Sequence, residues 1–178
     1  MRHYGLLFLI LLACTSSLAQ FPLGGAARQS DASRTVVDDY CRMDYAGSRL
    51  AKDTWPRMKP LTAWKENPDW NGFTIVSQYD ILDAADGLRS AAVRVQYAVL
   101  GRFQIRLGYL AEPGREEVSF RLKKMDGAWK IEDQDPAINP HVSKARAIAW
   151  LKSSLVAEKD AANKITLEKA LQELGAKP

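Results

Sequence analysis

At 178 residues the chain has room for one domain and its core, not comfortably for two. A hydrophobic fraction of 47% and a charged fraction of 26% place it among ordinary globular proteins. The net charge of +4 comes with acids and bases interspersed, as in DDYCR, EEVSFRLKK and AEKDAANK, with no long basic run and no aromatic-glycine RNA signature, which argues against nucleic acid as a partner.

The chain opens MRHYGLLFLILLACTSSLAQ. Arg2 supplies a positive start, and Gly5 to Ala13 is apolar and uncharged. That stretch is shorter than the ~20 residues needed to cross a bilayer. Ser17-Leu18-Ala19 sets small residues where a signal peptidase reads, so residues 1–19 are predicted to be an export signal cleaved after Ala19. A second ending fits the same leader: Leu11-Leu12-Ala13-Cys14 resembles a bacterial lipobox, in which Cys14 is acylated and the chain is held at a membrane by its buried methylenes. Simple secretion is the preferred reading, and a membrane enters only if Cys14 is acylated. Either ending places the domain outside the cytoplasm, periplasmic or secreted. Residues 20–30, with Phe21 to Ser30 reading FPLGGAARQS, have no periodicity and are predicted to form a flexible tether. Cys41 then stands alone in the folded part, which excludes an internal disulfide, and its apolar helical setting predicts buried packing.

A first helix is predicted to start near Asp31 or Ser33, with Val36, Val37, Tyr40, Cys41, Tyr45 and Ser48 on its apolar stripe and Asp38, Asp39, Arg42, Asp44 and Arg49 on the solvated face. A short helical piece is predicted over 56–64, and Asn67-Pro68-Asp69 and Asn71-Gly72 mark turns. Alternation then predicts strands. Phe73, Ile75, Ser77 and Tyr79 share one face, continued by Val93, Val95, Tyr97, Val99, Phe103, Ile105 and Leu107, then by Val118, Phe120, Leu122, Trp129 and Ile131. Gly101 marks a bulge or bend, and Asp126-Gly127 a tight hairpin turn. Pro136 and Pro140 are expected to end the sheet. Ser143 is expected to cap a helix carrying Ala145, Ile148, Leu151 and Leu155, followed by one carrying Ile165, Leu167, Ala170, Leu171 and Leu174 and closed by Gly175. Strands joined by short turns make an antiparallel sheet, so the fold class is α+β.

The hairpin VSFRLKKMDGAWKIED (Val118 to Asp133) and the strand VRVQYAVLG (Val93 to Gly101), behind a long first helix, resemble the nuclear transport factor 2-like (SnoaL-like, ketosteroid-isomerase-like) superfamily over roughly Ala32 to Pro136. The resemblance implies a cystatin-like cone, with N-terminal helices on a curved antiparallel sheet that leaves a pocket. The expected organisation is a domain over 31–136 and a C-terminal helical extension over 137–178.

Enzymes of that superfamily carry acids, histidines or tyrosines in the cone, and fold alone does not fix function. The inward series above holds no carboxylate and no histidine. Its polar atoms come from Ser77, Tyr79 and Tyr97, while Asp80 and Arg94 fall on the opposite face. Asp44 is the one catalytic candidate, with Tyr40 and Tyr97 as donors, set against a solvated position on its helix. His141, between Pro140 and a helix cap, is expected to be exposed, and a single histidine without partners at ligand spacing predicts no metal site. No phosphate loop or nucleophile elbow appears, so no cofactor is expected. Trp64 and Trp70 are expected to border the pocket mouth, completing a candidate ligand set of Tyr40, Trp64, Trp70, Ser77, Tyr79 and Tyr97. The resulting expectation is a non-catalytic module that binds a small apolar ligand or a protein partner, with a homodimer formed through the sheet among the options. A small isomerase, dehydratase or hydrolase and an envelope lipoprotein are the alternatives.

Overall fold

The computed structural model describes residues 24–132 and 139–177. The leader, its two endings at Ala19 and Cys14, and residues 133–138 lie outside the described residues. Helix α1 runs Gly24–Tyr45, so it starts at Gly24 rather than near Asp31, and residues 24–30 are helical where a tether was expected. Ser33 is an interior helical residue, not a cap; its hydroxyl donates to Asp86 Oδ1 at 2.7 Å. The helical piece at Trp55 divides into α2 (Trp55–Met58) and a 3-10 turn (Lys59–Leu61).

The alternating segments form one curled sheet from β1 (Gly72–Asp86), β2 (Ser90–Gln104), β3 (Gly108–Leu110), β4 (Gly114–Met125), β5 (Ala128–Ile131) and β6 (His141–Ser143). Its order is β5-β4-β2-β1-β6, and β3 pairs with the end of β2 beyond the reach of β4. The β4–β5 turn places Asp126 at φ 49° and Gly127 at φ 83°, the left-handed pair that a two-residue hairpin matching sheet twist demands. The chain does not leave the sheet at Pro140. β6 follows it and pairs parallel with Thr74 to Val76 of β1, so the sheet is mixed rather than antiparallel throughout. Two helices complete the fold, α3 (Lys144–Ala157) and α4 (Ala161–Glu173); Ser143 Oγ caps the first by accepting from the Arg146 N–H at 3.3 Å.

A paired irregularity in β1 and β2 governs where the core sits. Ile75 pairs with Gly101 and Val76 with Val99, so Leu100 is the extra residue on β2. A one-residue slip reverses which side chains face which side. Beyond it, Val76 of β1 and Val93, Val95, Tyr97 and Val99 of β2 pack under α1, together with Phe120, Leu122, Trp129 and Ile131. Before it, Phe73 and Ile75, with Phe103, turn to the other side and pack against Val142, Leu151 and Leu171. The expected single inward series is therefore two series on opposite faces. Ser77 is exposed, Phe103 belongs to the second core, and Ile105 and Leu107 are exposed. In the C-terminal helices Leu151, Leu167, Ala170, Leu171 and Leu174 are buried as their spacing requires, whereas Ala145 and Ile165 face solvent.

Beside the slip, Gly101 admits the close approach of β3. A Cβ there would stand 2.5 Å from the Leu110 carbonyl oxygen and 2.6 Å from the Tyr109 ring. Since one of these obstacles is backbone, Gly101→Ala is expected to cost about 1–3 kcal/mol, the range for overpacking, measured by urea unfolding.

Candidate functional site

On α1, Val37, Tyr40, Cys41 and Asp44 follow i, i+3, i+4, i+7 spacing, which sets them on one face. All four are buried against the sheet, Asp44 at 1% exposure. Asp44 is therefore not on a solvated face. Its Oδ2 accepts the His141 backbone N–H at 2.9 Å, so the helix holds the first residue of β6 across 97 positions of sequence. Burial raises the Asp44 carboxyl above the ordinary range, opposed by the positive field of Arg49, the His141 hydrogen bond and the His141 ring.

His141 is buried at 2% exposure, not exposed as its neighbours in sequence suggest. Its ring stacks on Tyr97, centroids 4.0 Å apart and planes 17° from parallel. Its Nε2 lies 3.6 Å from Glu116 Oε2, and Glu116 also accepts from Arg102 Nη2 at 3.1 Å. These neighbours hold the Glu116 carboxyl below its usual value, the His141 contact first. The Tyr97 hydroxyl lies 3.1 Å from Cys41 Sγ. Burial pushes the Cys41 thiol up to about 12 and raises the Tyr97 phenol well above its ordinary value, so both stay protonated and Cys41 is an unreactive core thiol.

Arg49, also expected on the solvated face, is 1% exposed. Its Nη1 donates to the Tyr40 hydroxyl at 3.2 Å and its Nε to Asn67 Oδ1 at 3.2 Å, and its guanidinium lies over Trp64, 5.6 Å from the ring centroid. Tyr40 also meets Trp64 and Phe120 edge-on, and burial raises its phenol. The structure thus brings Tyr40, Asp44 and Tyr97 into one buried polar cluster, and adds Arg49 and His141, which the periodicity had left out.

The remaining candidates lie elsewhere. Ser77 is exposed, its hydroxyl donating to the Ala98 carbonyl at 3.3 Å. Tyr79 is half-buried and donates to Asp38 Oδ1 at 3.1 Å; burial raises its phenol, and the Asp38 charge adds to this. Trp64 is buried, stacked on Trp55 with centroids 6.0 Å apart; its indole N–H donates to the Glu132 carbonyl, and its remaining edge lines a groove with Pro60, Thr62 and Lys130. Trp70 lines another groove, of about 540 Å³, with Arg49, Trp55, Pro68 and Ile105. Its N–H donates to the Arg49 carbonyl at 3.2 Å. Asp80 and Arg94 are exposed, as expected for the opposite face; Arg94 Nε lies 3.0 Å from both Asp83 oxygens.

Among the described residues no group of three His, Cys, Asp or Glu side chains is placed to hold a metal, and no helix is long and apolar enough to cross a membrane. No family model matches the chain, and neither a curated protein nor a solved structure is detectably similar to it.

The cluster makes two predictions. Asp44→Ala removes the acceptor of the buried His141 N–H; leaving a buried donor without its partner costs about 1–3 kcal/mol, readable by urea unfolding at neutral pH. The pH dependence has a definite sign. A carboxyl raised in the folded state binds its proton more tightly folded than unfolded, so Asp44 adds stability as pH falls through its folded value, and the gain levels off below the unfolded value of about 3.9. Glu116, lowered, acts oppositely and loses its contribution as pH falls through its folded value. The stability of the native chain relative to Asp44→Asn is therefore expected to rise on acidification from neutrality towards the unfolded carboxyl value, by at most about 1.4 kcal/mol per pH unit.

Proposed function

We propose that the chain is exported and works as a non-catalytic interaction module, built on a nuclear transport factor 2-like, cystatin-like cone whose interior is closed by its own side chains. A long helix lying along a curled sheet and an Asp-Gly hairpin at the sheet's end support the cone reading. The observation that carries the function is the filled concave face. Tyr40, Tyr97, Phe120, Leu122 and Ile131 have essentially no exposed surface, and Asp44 spends one oxygen on holding β6. Recognition then falls to the outside. There Trp70 and Ile105 line a groove, and Leu107 stands 67% exposed on the adjoining turn. Ile165 is also exposed nearby, because its neighbour Thr166 sits against Gly108 at the end of that turn. Exposed apolar groups gathered in this way suit contact with another macromolecule.

A photoreactive phenylalanine analogue placed at Leu107, in cells that make the protein, is expected to give a discrete adduct with another polypeptide. Absence of any adduct, together with uptake of one equivalent of an apolar dye that quenches the buried tryptophans, would favour a small-molecule pocket instead. Intact mass of the exported protein reads the leader: cleavage after Ala19 leaves Gln20 first, whereas an acylated Cys14 would make the protein an envelope lipoprotein.

A second reading, a small isomerase, dehydratase or hydrolase, is favoured by one observation: a carboxyl raised by burial beside two phenols and an imidazole. It requires the cluster to open to substrate. Cys41 reports that opening, being 3.1 Å from Tyr97. Labelling of Cys41 by a thiol reagent no faster than global unfolding would sink this reading.

A further inference from the structure

The two flanks of β1, a strand of 15 residues, are used unequally. One flank pairs with β2 from Gly72 to Asp86. On the other, β6 covers Thr74 to Val76, and among the described residues no strand pairs with β1 from Ser77 onward. The Ser77 carbonyl accepts the Tyr45 hydroxyl at 3.0 Å, and the Ile81 carbonyl accepts Arg34 Nη2 at 2.9 Å. Both donors come from α1, so the carbonyls of Ser77 and Ile81 point away from β2. Through the unbroken register from Gln78 to Ile81, alternation turns the Tyr79 N–H and C=O to the same side as the Ile81 carbonyl. Such a row of main-chain groups is what a sheet edge offers an added strand. Beside it is a groove of about 360 Å³ lined by Arg34, Thr35, Asp38, Tyr79, Asp80 and Ile81.

Charge selects the occupant. Asp38 of α1 and Asp80 of β1 line this groove, and Asp31, Asp39, Asp83 and Asp86 lie on the same two elements, against the cations Arg34 and Arg42 of α1 and Arg94 of β2. Arg42 and Arg94 are engaged by Asp39 and Asp83. A chain of net charge +4 thus presents an acidic strip along its open strand. A second copy pairing antiparallel about Asp83 would set Asp83 against its own counterpart and Asp80 against Asp86, and like charges across a strand pair are destabilising. A strand bearing lysine or arginine meets no such opposition.

We propose that residues 77–86 of β1 accept an extended, lysine- or arginine-bearing segment of a partner protein as an additional strand. The ladder forms on the outward groups of Tyr79 and Ile81, and Asp38 and Asp80 meet the segment's cations. Arg34, exposed and resting on the Ile81 carbonyl, guards the edge in the free protein and yields that oxygen when the strand enters. This deepens the interaction reading above and rests on it.

The test uses the full mature chain and three labelled peptides: alternating lysine and valine, alternating glutamate and valine, and the lysine peptide N-methylated at alternate residues. Expected are saturable binding of the lysine peptide, weakening of about tenfold or more on N-methylation and with the exposed-site variant Asp80→Lys, none with the glutamate peptide, and slowed amide exchange at Tyr79 and Ile81. Absence of saturable binding, equal binding of the N-methylated peptide, or protection confined to other strands overturns the proposal. Concentration-dependent dimerisation that protects the same amides also overturns it, replacing the basic segment with a second copy. Since the adduct at position 107 is read separately, its presence alongside a failed peptide test would remove the edge and leave the interaction reading standing.

Discussion

A single hydrogen bond, from the His141 main chain to the Asp44 carboxylate, determines how the two ends of this fold meet. β6 is three residues long and pairs with β1 over three positions, too little to hold a strand by ladder bonds alone. The carboxylate supplies the missing acceptor from the helix side. A hydrogen bond to a charged group in a site of low polarity is stronger than one at the surface. The cost is a buried charge, only partly offset by the field of Arg49, whose own guanidinium is satisfied in part by Tyr40 and Asn67. Helix, strand, arginine and tyrosine therefore stand or fall together, and the aromatic packing of Tyr40 on Trp64 and Phe120 follows from that arrangement.

The secondary structure was largely legible from periodicity. Most strands between Phe73 and Ile131, the Asp-Gly turn, the Gly101 irregularity and the Ser143 cap stand where spacing and residue type put them, but residues 105–107, whose alternation reads as strand, form the turn between β2 and β3. The faces were harder to read. An extra residue in one strand reverses every side chain beyond it, and alternation continues unbroken through Leu100, so the pattern holds no mark of which residue is left unpaired. On β1 the extra residue is Ser77, between the pairs Val76–Val99 and Gln78–Ala98, which is why Phe73 and Tyr79, on one apparent series, belong to different cores.

The polar cluster was half visible. Asp44 lies four residues after Tyr40 and seven after Val37, which is core spacing; assigning it to solvent followed its residue type rather than its position. Carboxylates are rarely buried without a partner, and here the partners come from far along the chain. His141 gave a weaker signal. Its place between a proline and a helix cap reads as a loop, and only the β-branched Val142 next to it, wholly buried, speaks for a strand. No spacing rule joins residue 44 to residue 141; their meeting depends on a parallel strand added after the meander has closed.

The reversal of faces along β1 and β2 has a consequence for the intrinsic chromophores. The chain has five tryptophans. Trp55, Trp64 and Trp129 are buried in the core under α1, while Trp70 and Trp150 pack at the core beneath α3 and α4. Fluorescence from this protein is thus the sum of two populations on opposite sides of one sheet, joined through the same two strands. Emission is an internal gauge of whether those halves melt as one cooperative unit or in turn.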